Sequence, residues 1–82
     1  MILETHVDLL DVDRPAMAYY RLDECADDHS NWCGPNRAAV EEMLRTAGFT
    51  RVVAYPALTD VSYLVRGAKR GTYGRMVFHA WK

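Results

Sequence analysis

The chain has 82 residues, half of them apolar and about a quarter charged, with a formal net charge of −1. That length allows one domain with a small core, burying roughly 60–65% of the surface its unfolded form exposes, and the composition excludes a disordered chain. No apolar run approaches the ~20 residues of a membrane span, and acidic Glu4 and Asp8 stand where a signal peptide would be basic and then apolar, so a cytoplasmic chain without membrane contact is expected.

Residues Ile2 to Leu10 (ILETHVDLL) read as a strand, rich in apolar and β-branched residues. Their alternation is imperfect, which suits a strand covered on both faces. Asp11 to Pro15 (DVDRP) is turn chemistry. Ala16 to Tyr20 is a short apolar piece, either a strand extension or a lid, and Arg21 to Ser30 is an acidic loop.

The stretch from Asn31 to Phe49 (NWCGPNRAAVEEMLRTAGF) organises the rest. Val40, Met43, Leu44 and Ala47 fall at the spacing of one helix face. Asn36 offers an N-cap and Gly48 a stop, which predicts a helix over residues 36–47. Thr50 to Tyr55 then gives a β-branched run ended by Pro56, with a strand over 51–55. Within residues 57–74, Val61–Val65 reads as a loop or a frayed strand, and Arg66–Gly74, with its GAKRGTYG segment, as a turn. Arg75 to Trp81 (RMVFHAW) alternates cleanly, with Met76, Phe78 and Ala80 on one face and Val77, His79 and Trp81 on the other.

Two strands joined by a helix form a right-handed βαβ unit. The last strand is reached through a loop and is therefore expected to run antiparallel. The fold class expected is α/β: a mixed three-stranded sheet in the order 1-3-2, with one main helix on one face. Such a sheet leaves an edge and a face open, which proteins normally protect. This points to a missing half.

Several residues carry candidate chemistry. Cys25, His29 and Cys33 form C-x3-H-x3-C, but the spacing departs from the paired C-x2-4-C of zinc sites, and three unrelated loop residues explain it better. Both cysteines read as reduced thiols in an unexported chain. Cys33 with a histidine could act as nucleophile and base, though nothing in the sequence brings them together. Asp11 and Asp13 fit a turn better than a catalytic carboxylate pair, and His79 fits a strand residue better than a base. No metal ligand and no catalytic residue is assigned. Residues 1–30 hold eight acids against Arg14 and Arg21, while residues 31–82 hold eight bases against Glu41, Glu42 and Asp60. Mutual neutralisation explains this asymmetry better than a phosphate-binding face does. The KRGTYGR run mixes basic and aromatic residues as nucleic-acid contacts do, but a solvated loop explains it better. No glycine-rich phosphate loop is present.

Taken together, LETHVD, NW-x-GPN followed by the AGF helix end, and R-x-VFHAW resemble the C-terminal part of class I S-adenosylmethionine-dependent methyltransferases. The branch most similar is that of the tRNA wobble-uridine carboxymethyl/methyltransferases. The resemblance covers most of the chain and is weakest over 11–30 and 56–74. It implies a partial Rossmann-like sheet, with residues 2–10, 51–55 and 75–81 as the fifth, sixth and seventh strands and residues 36–47 as crossover helix. The cofactor loop and the acidic ribose-binding residue of that family belong to the first four strands, which this chain lacks. Carried over by resemblance are Arg75, as a cofactor-side residue for S-adenosylmethionine, and Trp32, as a wall on the substrate side. The expected function is that of a C-terminal methyltransferase segment, inactive alone, which pairs with its missing N-terminal half or with another copy. The alternative is a non-enzymatic interaction module on the same half-fold, binding RNA or protein. A small zinc protein is a third class.

Overall fold

Asn36 sets the start of helix α1, Arg37–Thr46, in the computed structural model, which describes residues 1–21, 24–26 and 32–82. Its backbone is extended, and its Oδ1 accepts the Ala39 N–H at 2.9 Å, satisfying a donor of the first turn. The same oxygen accepts the Ala16 N–H at 3.0 Å, while Nδ2 donates to the carbonyls of Val12 (3.0 Å) and Arg14 (2.7 Å). One amide, 1% exposed, thus caps the helix and fastens the 12–16 turn to it. At the other end Ala47 caps the helix, and Gly48 steps to φ 106°, where a side chain would be strained. The Phe49 N–H then folds back to the Leu44 carbonyl. The expected helix over 36–47 is therefore one residue shorter at each end, because Asn36 and Ala47 are caps. Its buried stripe is also narrower than the spacing suggests: Ala39, Val40 and Leu44 are buried, whereas Met43 and Ala47 are exposed.

Five strands accompany the helix: β1 Ile2–Val7, β2 Met17–Tyr19, β3 Cys33–Pro35, β4 Arg51–Ala54 and β5 Gly74–Trp81. The main sheet runs β1-β5-β4, with β5 antiparallel to both neighbours. The expected mixed sheet is corrected on this point. β1 and β4 share a direction, but β5 separates them, so every hydrogen-bonded ladder is antiparallel. The order 1-3-2 of a three-stranded chain does not describe the molecule either, because β2 and β3 form a second, two-stranded antiparallel sheet. Within the expected Ala16–Tyr20 piece, Met17–Tyr19 is a strand, and part of the expected entry turn pairs with it. The first strand stops at Val7, short of Leu10. Beyond it the Asp8 N–H leaves the main ladder for the Pro35 carbonyl at 3.0 Å, and Leu9 takes a left-handed φ of 50°.

Two cores result. Val7, Met76, Phe78 and Ala80 form the covered face of the sheet and pack against Val40 and Leu44 of α1. The burial of β5 alternates residue by residue, as its sequence pattern predicts. The second core, Tyr20, Cys25, Val65 and Tyr73 with Tyr63 and Val61 at its margin, closes over the end of β1. Backbone bonds hold it there: Cys25 and Val65 form an isolated bridge, flanked by the Ala26 N–H to the Leu64 carbonyl and the Arg66 N–H to the Glu24 carbonyl.

Candidate functional site

Antiparallel pairing brings His6 of β1 opposite Arg75 of β5. Directly paired residues share a face, so both project from the face that α1 does not cover. Arg75 also reaches Glu4, with Nη2 and Oε1 3.3 Å apart across the strands. The second core then leans Tyr20 and Tyr63 against the His6 ring from two sides, with ring centroids 5.8 and 5.5 Å away.

The hydrogen bonds run as a chain. His6 Nε2 lies 2.8 Å from the Tyr20 hydroxyl, which donates to Asp8 Oδ2 at 2.5 Å. Asp8 Oδ1 accepts the Leu9 N–H at 2.6 Å, so this buried carboxylate, 2% exposed, is paired at both oxygens. On the other side, His6 Nδ1 lies 2.6 Å from the Tyr63 hydroxyl, which also reaches the Gly74 carbonyl at 3.0 Å. The Cys25 Sγ lies 3.9 Å from Nε2. His6, Cys25, Ala26, Tyr63 and Arg75 line a pocket of about 160 Å³.

Burial shapes the electrostatics. Desolvation of the half-buried ring lowers the His6 pKa below its ordinary value, aided by the Arg75 charge and opposed by Asp8. Burial raises Tyr20, and the hydrogen bond to Asp8 adds to it. Burial also raises Tyr63, against the pull of Arg75. The site therefore holds a neutral imidazole between two protonated phenols, with a carboxylate at one end and a guanidinium beside the other.

Arg75 lines this pocket, whereas Trp32 does not. Trp32 is 61% exposed just before β3, and its carbonyl accepts the Tyr20 N–H at 2.9 Å. Cys25 is buried, and Cys33 is exposed in β3; neither forms a disulfide. His29, the centre of the C-x3-H-x3-C candidate, lies outside the described residues. Among the described residues, no group of three or more His, Cys, Asp and Glu could hold a metal ion, and no helix is long and apolar enough to cross a membrane. His79 sits half-buried on the open sheet face between Tyr55 and Trp81.

Sequence reasoning missed Asp8, Tyr20 and Tyr63, and it singled out no role for His6. One signal was legible: a histidine and an aspartate flank Val7 at the end of an otherwise apolar strand. The two tyrosines come from segments without a clear period. No protein-family model matches the chain, and searches of the curated proteins and of the solved structures return no match.

Proposed function

We propose that this chain is the trailing, sheet-completing half of a Rossmann-like S-adenosylmethionine-dependent methyltransferase of the wobble-uridine branch, and that it joins another chain or a second copy through the open edge of β1. One observation carries the reading. β5 runs reversed between two co-directional strands that α1 connects, while β1 ends the sheet. A last strand reversed between its two neighbours is what the family resemblance implies for the fifth to seventh strands, with α1 as the crossover.

The β1 edge supports the second clause. Met1 and Ala80 exchange both backbone bonds. By antiparallel alternation Leu3, Thr5 and Val7 face β5, and the N–H and C=O groups of Ile2, Glu4 and His6 point outward. Among the described residues, no strand pairs with that edge. Ile2 is 71% exposed there, and the segment has no proline or lysine to blunt it.

Arg75 fits a cofactor-side role by its position. It is the second residue of β5, beside the carboxyl end of β1, and open α/β sheets bind ligands outside the carboxyl ends of their strands. S-adenosylmethionine is the cofactor in this reading, held mainly by residues outside this chain, and Trp32 is a substrate-side wall. The RNA-binding alternative draws on Arg66 and Lys69, which line a cleft of about 380 Å³ with exposed Tyr19, but Asp11 and Glu24 line the same cleft and would repel a phosphate backbone. Calorimetric titration of S-adenosylmethionine into the isolated chain tests the main reading. No binding heat is expected, and clear micromolar binding would overturn it.

A further inference from the structure

The hydrogen-bond chain from Asp8 to Gly74 can be read proton by proton. A phenol has one proton. That of Tyr20 is committed to Asp8 Oδ2, so Tyr20 Oη faces His6 Nε2 as an acceptor and Nε2 carries the ring proton. Nδ1 is then the nitrogen that titrates. Beside it stands Tyr63, with one proton and two acceptors in reach: Nδ1 at 2.6 Å and the Gly74 carbonyl at 3.0 Å. With a neutral ring, Tyr63 donates to Nδ1, the nearer acceptor. With a protonated ring, Nδ1–H donates to Tyr63, whose own proton turns to Gly74, and every bond of the chain is made. The proton-loaded state is therefore built in advance.

We propose that Asp8, Tyr20, His6 and Tyr63 form a general-base site, which withdraws a proton through Tyr63 from a ligand bearing an acidic O–H or N–H in the pocket beside Arg75. In the step, the ligand's X–H bond breaks and its electron pair stays on X. The proton passes to Tyr63 Oη while the Tyr63 proton moves to His6 Nδ1. The anion left behind lies beside the Arg75 guanidinium, and the imidazolium is balanced by Asp8 through Tyr20. The pocket, at about 160 Å³, admits the reacting end of such a ligand.

The charged and titratable groups facing the ring come from every element around it. Asp8 belongs to the end of β1, Arg75 to β5, and Tyr20, Cys25 and Tyr63 to the second core, while Glu4 on β1 is engaged by Arg75. Burial keeps the ring neutral at rest, as a base requires. The Cys25 thiol does not compete for the ring, because Tyr20 is the nearer partner of Nε2. The inference stands on this network alone, so its test and the cofactor titration fail independently.

Nitrogen-15 histidine NMR across the pH range reads the relay. The expected neutral ring carries Nε2–H and titrates at Nδ1. In Asp8→Asn, an amide N–H faces Tyr20, which then donates to Nε2, so the ring tautomer inverts to Nδ1–H. The His6 pKa falls by about one unit as the counter-charge is lost. Tyr20→Phe, which keeps the ring packing, releases the tautomer preference to a mixture. A wild-type Nδ1–H ring, or a tautomer unchanged in whichever variant folds, overturns the relay. The pocket is read with 4-nitrophenol as the probe acid, below the pH at which it ionises in water. Wild type is expected to bind it as the coloured phenolate, while His6→Gln and Tyr63→Phe lose the colour. Absence of bound phenolate in wild type, or its persistence in both variants, overturns the base.

Discussion

The Tyr20 hydroxyl donates to Asp8 Oδ2 across 2.5 Å, and this bond ties the second core to the end of β1. Asp8 is almost fully buried, and a buried carboxylate oxygen left without its donor bears the whole desolvation penalty. Tyr20→Phe keeps the ring and removes the donor, and it is expected to cost about 1–3 kcal/mol in urea unfolding. Tyr19→Phe, next along the chain but exposed, should stay within about 0.5 kcal/mol of wild type.

Gly34 makes that geometry possible through space rather than backbone freedom. A Cβ there would collide with the Tyr20 hydroxyl and ring and would press on Asp8 Cβ. Gly34→Ala should destabilise by about 1–3 kcal/mol through overpacking. Because the clash is with Tyr20, it should not add to a Tyr20→Leu substitution. A double-mutant cycle checks this: simple additivity would show that Gly34 acts elsewhere.

Burial lowers the His6 pKa in the fold below its ordinary 6.5. The unfolded chain therefore binds more protons than the folded one between those two values, and stability rises with pH through that window. The His6 contribution is complete above about pH 6.5 and is lost as the pH falls through it toward the lower folded value. Urea midpoints measured from about pH 5 to about pH 8 should show this loss. His6→Gln should flatten the difference.

At Asn36 the expected outcome departs from the usual capping preferences, by which Asn and Asp are equivalent. Oδ1 receives two N–H groups, but Nδ2 gives protons to the carbonyls of Val12 and Arg14. Asn36→Asp keeps the cap and turns a carboxylate oxygen onto two carbonyls in a buried site. It should cost more than Asn36→Ser, by about 1–3 kcal/mol, in thermal or urea unfolding.

Local signals made the helix legible: a cap, a periodic stripe and a glycine stop lie within a few residues of one another, and α1 departs from the expected span by only its caps. β5 was legible for the same reason, since its period of two is unbroken from Arg75 to Ala80. The β2-β3 ribbon was not. Met17–Tyr19 and Cys33–Pro35 are three residues each, too short to show a period, and Pro35 argues against a strand. The His6 network was hidden because its members are far apart in sequence and meet only once β1 pairs with β5 and the second core closes. Arg75 could be singled out at the sequence level, but its neighbours could not.

The outward N–H of Glu4 offers a selective test of the β1 edge. Proline is tolerated in an edge strand where its missing N–H faces away from the ladder, so Glu4→Pro should leave the Leu3, Thr5 and Val7 bonds to β5 in place while removing a donor from the open side. It also removes the Glu4–Arg75 ion pair, which is largely exposed and worth little in water; Glu4→Gln controls for that loss. In sedimentation, wild type and Glu4→Gln should gain mass with concentration, and Glu4→Pro should remain a monomer with unchanged circular dichroism. If Glu4→Pro associates as wild type does, β1 is not the joint between chains, because an antiparallel or parallel partner strand must use the backbone groups of Ile2, Glu4 and His6 on that side.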